Sequence, residues 1–369
     1  MSLVDDIWHG DGASARAGRA LLSPAERVFA AIVARRNARF DREPPRRTML
    51  PAISVGNLTV GGTGKTPVAA WCTAKLRAMH AKPSIVLRGY GDDEWRVHAL
   101  LNPDVPVIVS PDRVGGIAAA AARGADCVVL DDAFQHRQAS RVVDLVLVSA
   151  DRWREPVRLL PAGPYREPMT SLARATVAVV TVKSAGDDAV AALSHAIGIA
   201  APRIPVAVVR LRLGRLQLAA RLHASSSAAQ SSARTGPAVR DRGGRDMLSH
   251  EPPWLAGRSI VVASAVGDPG AFETQLRAFG AVLRHTLRFP DHHAFTAADA
   301  ERIARLGEGT DGVVCTLKDA VKLHVVWPRE ATPLWYVSQS VVVDRGAEAL
   351  DRAFARVLAA RTATAFNAS

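Results

Sequence analysis

Cysteine is scarce. The three present, Cys72, Cys127 and Cys315, lie far apart and form no CxxC pair, which speaks against a disulfide framework or a zinc knuckle and fits a reducing cytosol. Aromatic residues make up only 5 % of the chain and are not interleaved with basic ones. That leaves no platform for stacking bases, so a nucleic-acid partner is not expected. No stretch approaches the roughly 20 consecutive apolar residues of a membrane span. The opening MSLVDDIWHG carries acids and no apolar core of a signal peptide, so a cytoplasmic chain is expected.

Apolar residues are plentiful, at 48 % of 369. A sizeable core is therefore within reach, in one large or two medium α/β domains. Positive charge is also abundant: 47 Lys and Arg against 35 Asp and Glu leave a formal +12. Such a balance favours an anionic partner, whether nucleic acid, phospholipid head groups or a phosphorylated substrate, and composition alone does not choose.

In LLSPAERVFAAIVARRNARF, Ser23 to Glu26 reads as a capping box with Pro24 at the first helical position. Phe29, Ile32, Val33 and Phe40 then recur at helical spacing, with Arg27, Arg35, Arg36 and Arg39 among them. Such a helix either packs on the core or lies in a membrane interface with its arginines on anionic head groups. From residue 50 strands and helices alternate. LPAISV, PSIVLRGYG, DCVVLDD, VVDLVLVSA and ATVAVVTV read as strands of a parallel sheet, and Pro67 to His80 and GIAAAAARGA as helices. The pattern fails between Gln217 and Pro253, where a Ser/Ala/Gly/Arg-rich stretch reads as a flexible insertion. RSIVVASAVGDPGAFETQLRAFG restarts a strand–loop–helix unit, DGVVCTLKDAVKL and LWYVSQSVVV add strands, and a helix covers Ala347 to Ala360.

SVGNLTVGGTGKTP, residues 54–67, carries the chemistry. Gly61, Gly62, Thr63 and Gly64 let the backbone turn after a strand and present N–H groups, with the next helix N-terminus, to phosphates. Lys65 would reach the β- and γ-phosphates and the Thr66 hydroxyl would ligate Mg2+. The strict pattern needs glycine where Thr59 stands, so this is a variant P-loop. Asp131 and Asp132 follow an apolar strand and suit the metal or its waters. The expected architecture is a P-loop NTPase-like parallel-sheet core with a second, smaller α/β lobe. The expected division is a basic amphipathic helix region over 1–49, the P-loop core over 50–204, a connecting strand and insertion over 205–257, and a C-terminal lobe over 258–369.

At these residues the sequence resembles the tetraacyldisaccharide 4'-kinases, the lipid A 4'-kinase family. SVGNLTVGGTGKTP is followed in family order by RGYG (88–91), SPDR (110–113), LDDAFQHR (130–137), LLPAGPYREP (159–168), AVGDP (265–269), FPDHHAFT (289–296) and TLKDAVK (316–322). The resemblance implies transfer of the γ-phosphoryl group of ATP, with Mg2+, to the 4'-hydroxyl of an acylated glucosamine disaccharide 1-phosphate. It further implies a monomer, peripheral on the cytoplasmic face of the bacterial inner membrane, with the 1–49 helix region interfacial and in contact with anionic phospholipid.

Carried over by motif, Gln135 and His136 are polar residues beside the nucleotide, and Arg113 stabilises phosphate charge. Glu167, beside Arg166, lies near metal and acceptor, and His292 reaches the reacting centre on closure of two lobes. The family's Asp-Glu pair falls in a shortened loop, RGYGDDEW, where Asp93 matches the base and Glu94 its acidic neighbour near the metal; Asp92 is the alternative base. Leu317 stands where the family has glutamate. The rival reading is a variant P-loop ATPase acting as a membrane-associated nucleotide switch. That group carries lysine directly before the first glycine, where this chain has Val60.

Overall fold

The structure, a computed structural model, describes residues 3–89, 93–222 and 249–366. Asp92 and most of the expected insertion, 223–248, lie outside the described residues. The chain divides into two compact units, one comprising Met1–Tyr90, His98–Arg210 and Val341–Ser369, the other Gly91–Val97 and Leu211–Ser340.

Unit 1 opens with helices α1 (Leu3–His9) and α2 (Ala13–Arg42) and continues as β1 (Ala52–Asn57), α3 (Lys65–Ala78), β2 (Pro83–Leu87), α4 (Glu94–Leu101), β3 (Val107–Val109), α5 (Arg113–Ala122), β4 (Cys127–Asp131), β5 (Val143–Ser149), β6 (Val177–Val182), α6 (Asp187–Ala200) and β7 (Val206–Leu218); it takes α4 only from His98 and β7 only as far as Arg210. Its strands lie in the order β7-β6-β5-β1-β4-β2-β3, and each adjacent pair is parallel. Every residue of β1, β2, β4 and β6 is buried, as expected for strands covered on both faces. The order turns at β1, which has β4 on one side and β5 on the other. In an open parallel sheet that turning point, at the carboxyl ends of the strands, is where ligands bind.

Unit 2 contains the end of β7 from Leu211, β8 (Ser249–His250), β9 (Ser259–Ser264), α7 (Pro269–Ala278), β10 (Val282–Arg288), α8 (Ala297–Gly307), β11 (Gly312–Thr316), α9 (Leu317–Val326) and β12 (Leu334–Arg345) as far as Ser340. Here β10, β9, β11 and β12 run parallel in that order, and the short β8 pairs antiparallel with the end of β7. Its core gathers Leu255, Ile260, Phe272, Leu276, Val314 and Trp335.

Two expected elements are corrected, and the compact units divide the chain differently from the expected lobes. Ser23 and Pro24 do not start a helix: α2 is an unbroken run of 30 residues from a cap at Gly12, with Pro24 inside it. The proline penalty, about 3 kcal/mol, is local, while contacts beyond the proline anchor the helix. Glu26 accepts hydrogen bonds from the Leu159 amide at 2.7 Å and from Arg158 at 3.1 Å. Farther along, Arg36 donates to the Gln135 carbonyl and Asn37 to Glu167. Residues 1–49 are thus part of unit 1.

DGVVCTLKDAVKL is half strand and half helix, because the Thr316 hydroxyl accepts from the Asp319 amide and caps α9. The division at 258 also shifts. Helix α10 (Ala347–Phe366) packs on β5 and β6 and so belongs to unit 1. Residues 91–97 belong to unit 2, so Asp93 and His292 share a unit and need no lobe closure to meet.

Candidate active site

The end of β1 runs into the glycine loop, and Gly64 caps α3 at φ 86°, in the left-handed region that a side chain resists. No side chain caps this helix and no acid sits in its first turn. The Lys65 and Thr66 amides and the positive end of the helix are therefore suited to an anionic ligand. The loop is braced from behind by groups the sequence reading missed. Asn57 Nδ2 donates to Thr63 Oγ1 at 2.8 Å, Thr181 Oγ1 to the Thr63 carbonyl at 2.9 Å, and Lys183 Nζ to the Gly62 carbonyl at 2.8 Å. Polar residues at the carboxyl end of the apolar β6 were the legible signal. Thr63 is buried, which makes it a structural member of the loop.

The acidic pair stands beside the loop because β4 is in register with β1, Asp131 opposite Val55. Gly56 permits the close approach: a Cβ there would lie 2.7 Å from the Phe134 amide nitrogen. Asp131 is buried, its Oδ2 2.8 Å from His98 Nε2 and its Oδ1 without a hydrogen-bond partner. Asp132 takes a left-handed φ of 48°, a costly conformation found at functional sites. Its Oδ1 accepts from Arg166 at 3.0 Å and lies 3.9 Å from Lys65. Burial raises the Asp132 carboxyl, but Lys65 and Arg166 outweigh that and hold it below its ordinary range.

Arg113, the first residue of α5, is fully buried and donates to the Ser110 and Asp131 carbonyls at 2.6 and 3.3 Å. It braces the end of β4. Gln135 donates to the Asn57 carbonyl at 2.8 Å. His136 is pushed down to about 4 by burial and by Arg113, Arg141, Arg36 and Arg88, so it is neutral at pH 7. Glu167 Oε2 accepts from Arg174 and Asn37 at 2.8 and 2.9 Å, leaving Oε1 buried and unpaired.

The donor set fits Mg2+ carried by a nucleotide. The bare Oδ1 of Asp131 and the Thr66 hydroxyl at the start of α3 supply oxygen, and phosphates complete such sites. No group of three His, Cys, Asp or Glu arranged for a metal occurs among the described residues, which a phosphate-borne ion does not require.

In unit 2, Asp93 precedes α4, which opens with Glu94. Asp93 is buried, with His292 Nδ1 3.4 Å from Oδ1 and Lys322 Nζ 3.4 Å from Oδ2. Lys318 Nζ stands 2.9 Å from His292 Nε2 and 3.2 Å from Asp291. An ammonium can only donate, so Nε2 accepts and the ring proton of neutral His292 sits on Nδ1, toward Asp93. Burial raises Asp93, yet His292, Lys318 and Lys322 bring it down to about 2. The contact with Asp93 raises His292, against burial and Lys318. His292 holds a left-handed φ of 61°. His293 turns elsewhere, to Asp299 at 3.1 Å. Lys318 and Lys322 were quoted within a motif but given no role from sequence.

The chain is 34 % identical over 392 residues to the tetraacyldisaccharide 4'-kinase of Anaeromyxobacter dehalogenans strain 2CP-1, covering 97 % of this chain and 96 % of that one. It is 32 % identical to the enzyme of the same name from Paramagnetospirillum magneticum, covering 86 % and 88 %. In fold it is similar to the crystal structure of "apo" form LpxK from Aquifex aeolicus in complex with ATP, with a TM-score of 0.64 and 24 % identity, over 92 % of this chain and 99 % of that one. The family profile described as Tetraacyldisaccharide-1-P 4'-kinase matches residues 18–359. With the phosphate cradle, its acidic pair and this near-complete match, the chain belongs to the tetraacyldisaccharide-1-P 4'-kinase family.

Proposed function

We propose that this chain is an ATP-dependent kinase of lipid A biosynthesis, transferring the γ-phosphoryl group to the 4'-hydroxyl of a tetraacylated glucosamine disaccharide 1-phosphate. The observation that carries this reading is Asp93, a buried carboxylate kept ionised by two lysines and a histidine. A nucleotide switch needs the phosphate cradle but has no use for such a base.

The loop amides and Lys65 spread the γ-phosphate charge, and Mg2+ when bound adds electrostatic stabilisation there. Thr66 and Asp131 would hold the ion, with Asp132, Glu94 and Glu167 as further carboxylates for its waters or the acceptor. Asp93 takes the proton of the attacking hydroxyl. At about 2 it is a weak base, which suits a loose transition state in which the proton leaves late. His292, its Nδ1–H directed at Asp93, orients the carboxylate.

The protein works as a monomer, peripheral on the cytoplasmic face of the inner membrane. No helix among the described residues is long and apolar enough to cross a membrane. On α2, Leu21, Val28 and Ile32 are exposed at 82, 62 and 60 %; spaced seven and four apart, they share one face. That stripe, with Arg27 and Arg35 nearby, suits an anionic phospholipid surface.

The test is transfer of labelled γ-phosphate from ATP to detergent-dispersed tetraacyl disaccharide 1-phosphate by the native chain, Lys65→Ala and Asp93→Asn. The reading expects transfer that collapses in both variants. ATP hydrolysis without a lipid product would overturn it.

A further inference from the structure

His98 lies in α4, absent from every motif above, yet it is fully buried with Nε2 2.8 Å from Asp131 Oδ2. A carboxylate oxygen accepts, so Nε2 carries the proton. The other ring nitrogen, Nδ1, is buried without a hydrogen-bond partner. A bare lone pair there is a smaller loss than an unpaired N–H, which favours the same Nε2–H tautomer.

Asp131 is thereby held at two points. Its carbonyl accepts from Arg113 at 3.3 Å and its Oδ2 from His98. Only Oδ1 is left, buried and without a partner. A carboxylate free to rotate about χ2 presents either oxygen, or both, to a cation. One fixed by a buried imidazole presents a single chosen oxygen. Groups that orient a metal ligand in this way change metal affinity about 10- to 100-fold when removed.

We propose that His98 is a positioning residue for nucleotide-borne Mg2+, committing Asp131 to coordination through Oδ1. The inference rests on the reading of the glycine loop and Asp131 as a metal–nucleotide site. It concerns metal affinity rather than chemistry at the phosphate, and its readout does not depend on turnover.

The experiment measures Mn2+ binding to the full chain in the presence of saturating ADP, by the loss of the free-ion paramagnetic resonance signal. ADP affinity without metal is measured alongside. Native protein, His98→Leu and His98→Gln are compared. His98→Leu is expected to weaken Mn2+ about tenfold while metal-free ADP affinity stays within twofold. His98→Gln, which keeps an N–H donor, is expected to recover most of the loss. Unchanged Mn2+ affinity in His98→Leu, or an equal loss of metal-free ADP binding, would overturn the inference alone. Absence of ADP-dependent Mn2+ binding by the native chain would overturn the nucleotide-site reading and the inference with it.

Should His98→Leu fail to fold, the native protein with 15N-labelled histidine decides. A protonated Nε2 is expected at His98, and a bare one would refute the assignment.

Discussion

Removing both lysines around the unit 2 carboxylate, in Lys318→Met/Lys322→Met, should bring the titration of Asp93 into view. Lys322 Nζ lies 3.4 Å from Asp93 Oδ2. At an effective dielectric near 20 that separation corresponds to a gross attraction of about 5 kcal/mol. Burial opposes ionisation, so the visible effect is smaller; an adjacent cation ordinarily lowers an aspartate by roughly 1–3 units. Starting from about 2 and losing roughly 1.5 units of support per lysine, Asp93 should move to about 5. Its buried position then works against the charge with only His292 to compensate.

The assay is the pH dependence of kcat/KM for the lipid acceptor at saturating ATP, from pH 4.5 to 8. In the native enzyme Asp93 is ionised throughout, and it contributes no acid limb. In the double variant log(kcat/KM) should fall with unit slope below about pH 5. A lysine that merely binds the acceptor's own phosphate would lower the profile uniformly. Profiles of the same shape, displaced or not, would refute the assignment of Asp93 as a base tuned by these lysines.

Thr181→Val removes the hydrogen bond to the Thr63 carbonyl. A bond of this kind is worth about 1 kcal/mol, so KM for ATP should rise roughly fivefold with kcat nearly held; an unchanged KM would show the loop needs no brace from β6. Gly56→Ala places a Cβ 2.6 Å from that of Phe134. It should cost about 1–3 kcal/mol in urea unfolding and weaken metal–nucleotide binding, since Phe134 lies two residues beyond Asp132; native-like values for both would count against close packing there. Asp319, fully buried in unit 2, is raised by burial to about 6, against Thr316, Lys322 and the Ala265 amide. Its folded value exceeds its unfolded one, so its contribution to stability is complete below about pH 4 and is lost as pH rises through about 6. The urea stability of native protein relative to Asp319→Asn should therefore fall by about 2–3 kcal/mol between pH 4 and 8, and a flat difference would contradict the raised value.

The parts of the site legible in the sequence were those whose geometry is local. A strand, a glycine turn and a helix start occupy residues 52–66, and the loop's purpose follows from its own backbone. Asp131 and Asp132 were legible because they end an apolar strand. Partners distant in sequence were not. His98 meets Asp131 across 33 residues, and nothing in an eight-residue helix announces that one histidine points inward. The Asp93–His292 contact spans nearly 200 residues, and the resemblance supplied the pair but assigned their meeting to lobe closure. Pro24 misled for a physical reason: a proline signal is local, while α2 is anchored by contacts with residues 135, 158, 159 and 167.

The excess of positive charge was read as a sign of an anionic partner, but around the acidic loop much of it faces inward. The carbonyl of Asp131 accepts from Arg113, those of Ala133, Phe134 and His136 from Arg141, and that of Gln135 from Arg36. Arg166 meanwhile ties Asp132 to Asn57. A planar guanidinium reaches several carbonyls at once, which an ammonium on a flexible stem does not, so lysine is no conservative substitute at these positions. Burial, together with Arg113, Arg141, Arg36 and Arg88, holds His136 at about 4, which keeps that ring neutral and able to accept as well as donate at pH 7. The net charge of the sequence therefore overstates the cationic surface available to lipid and phosphate. Four of its arginines, Arg36 of α2 among them, build the loop that presents the carboxylates, and that charge is spent inside the fold.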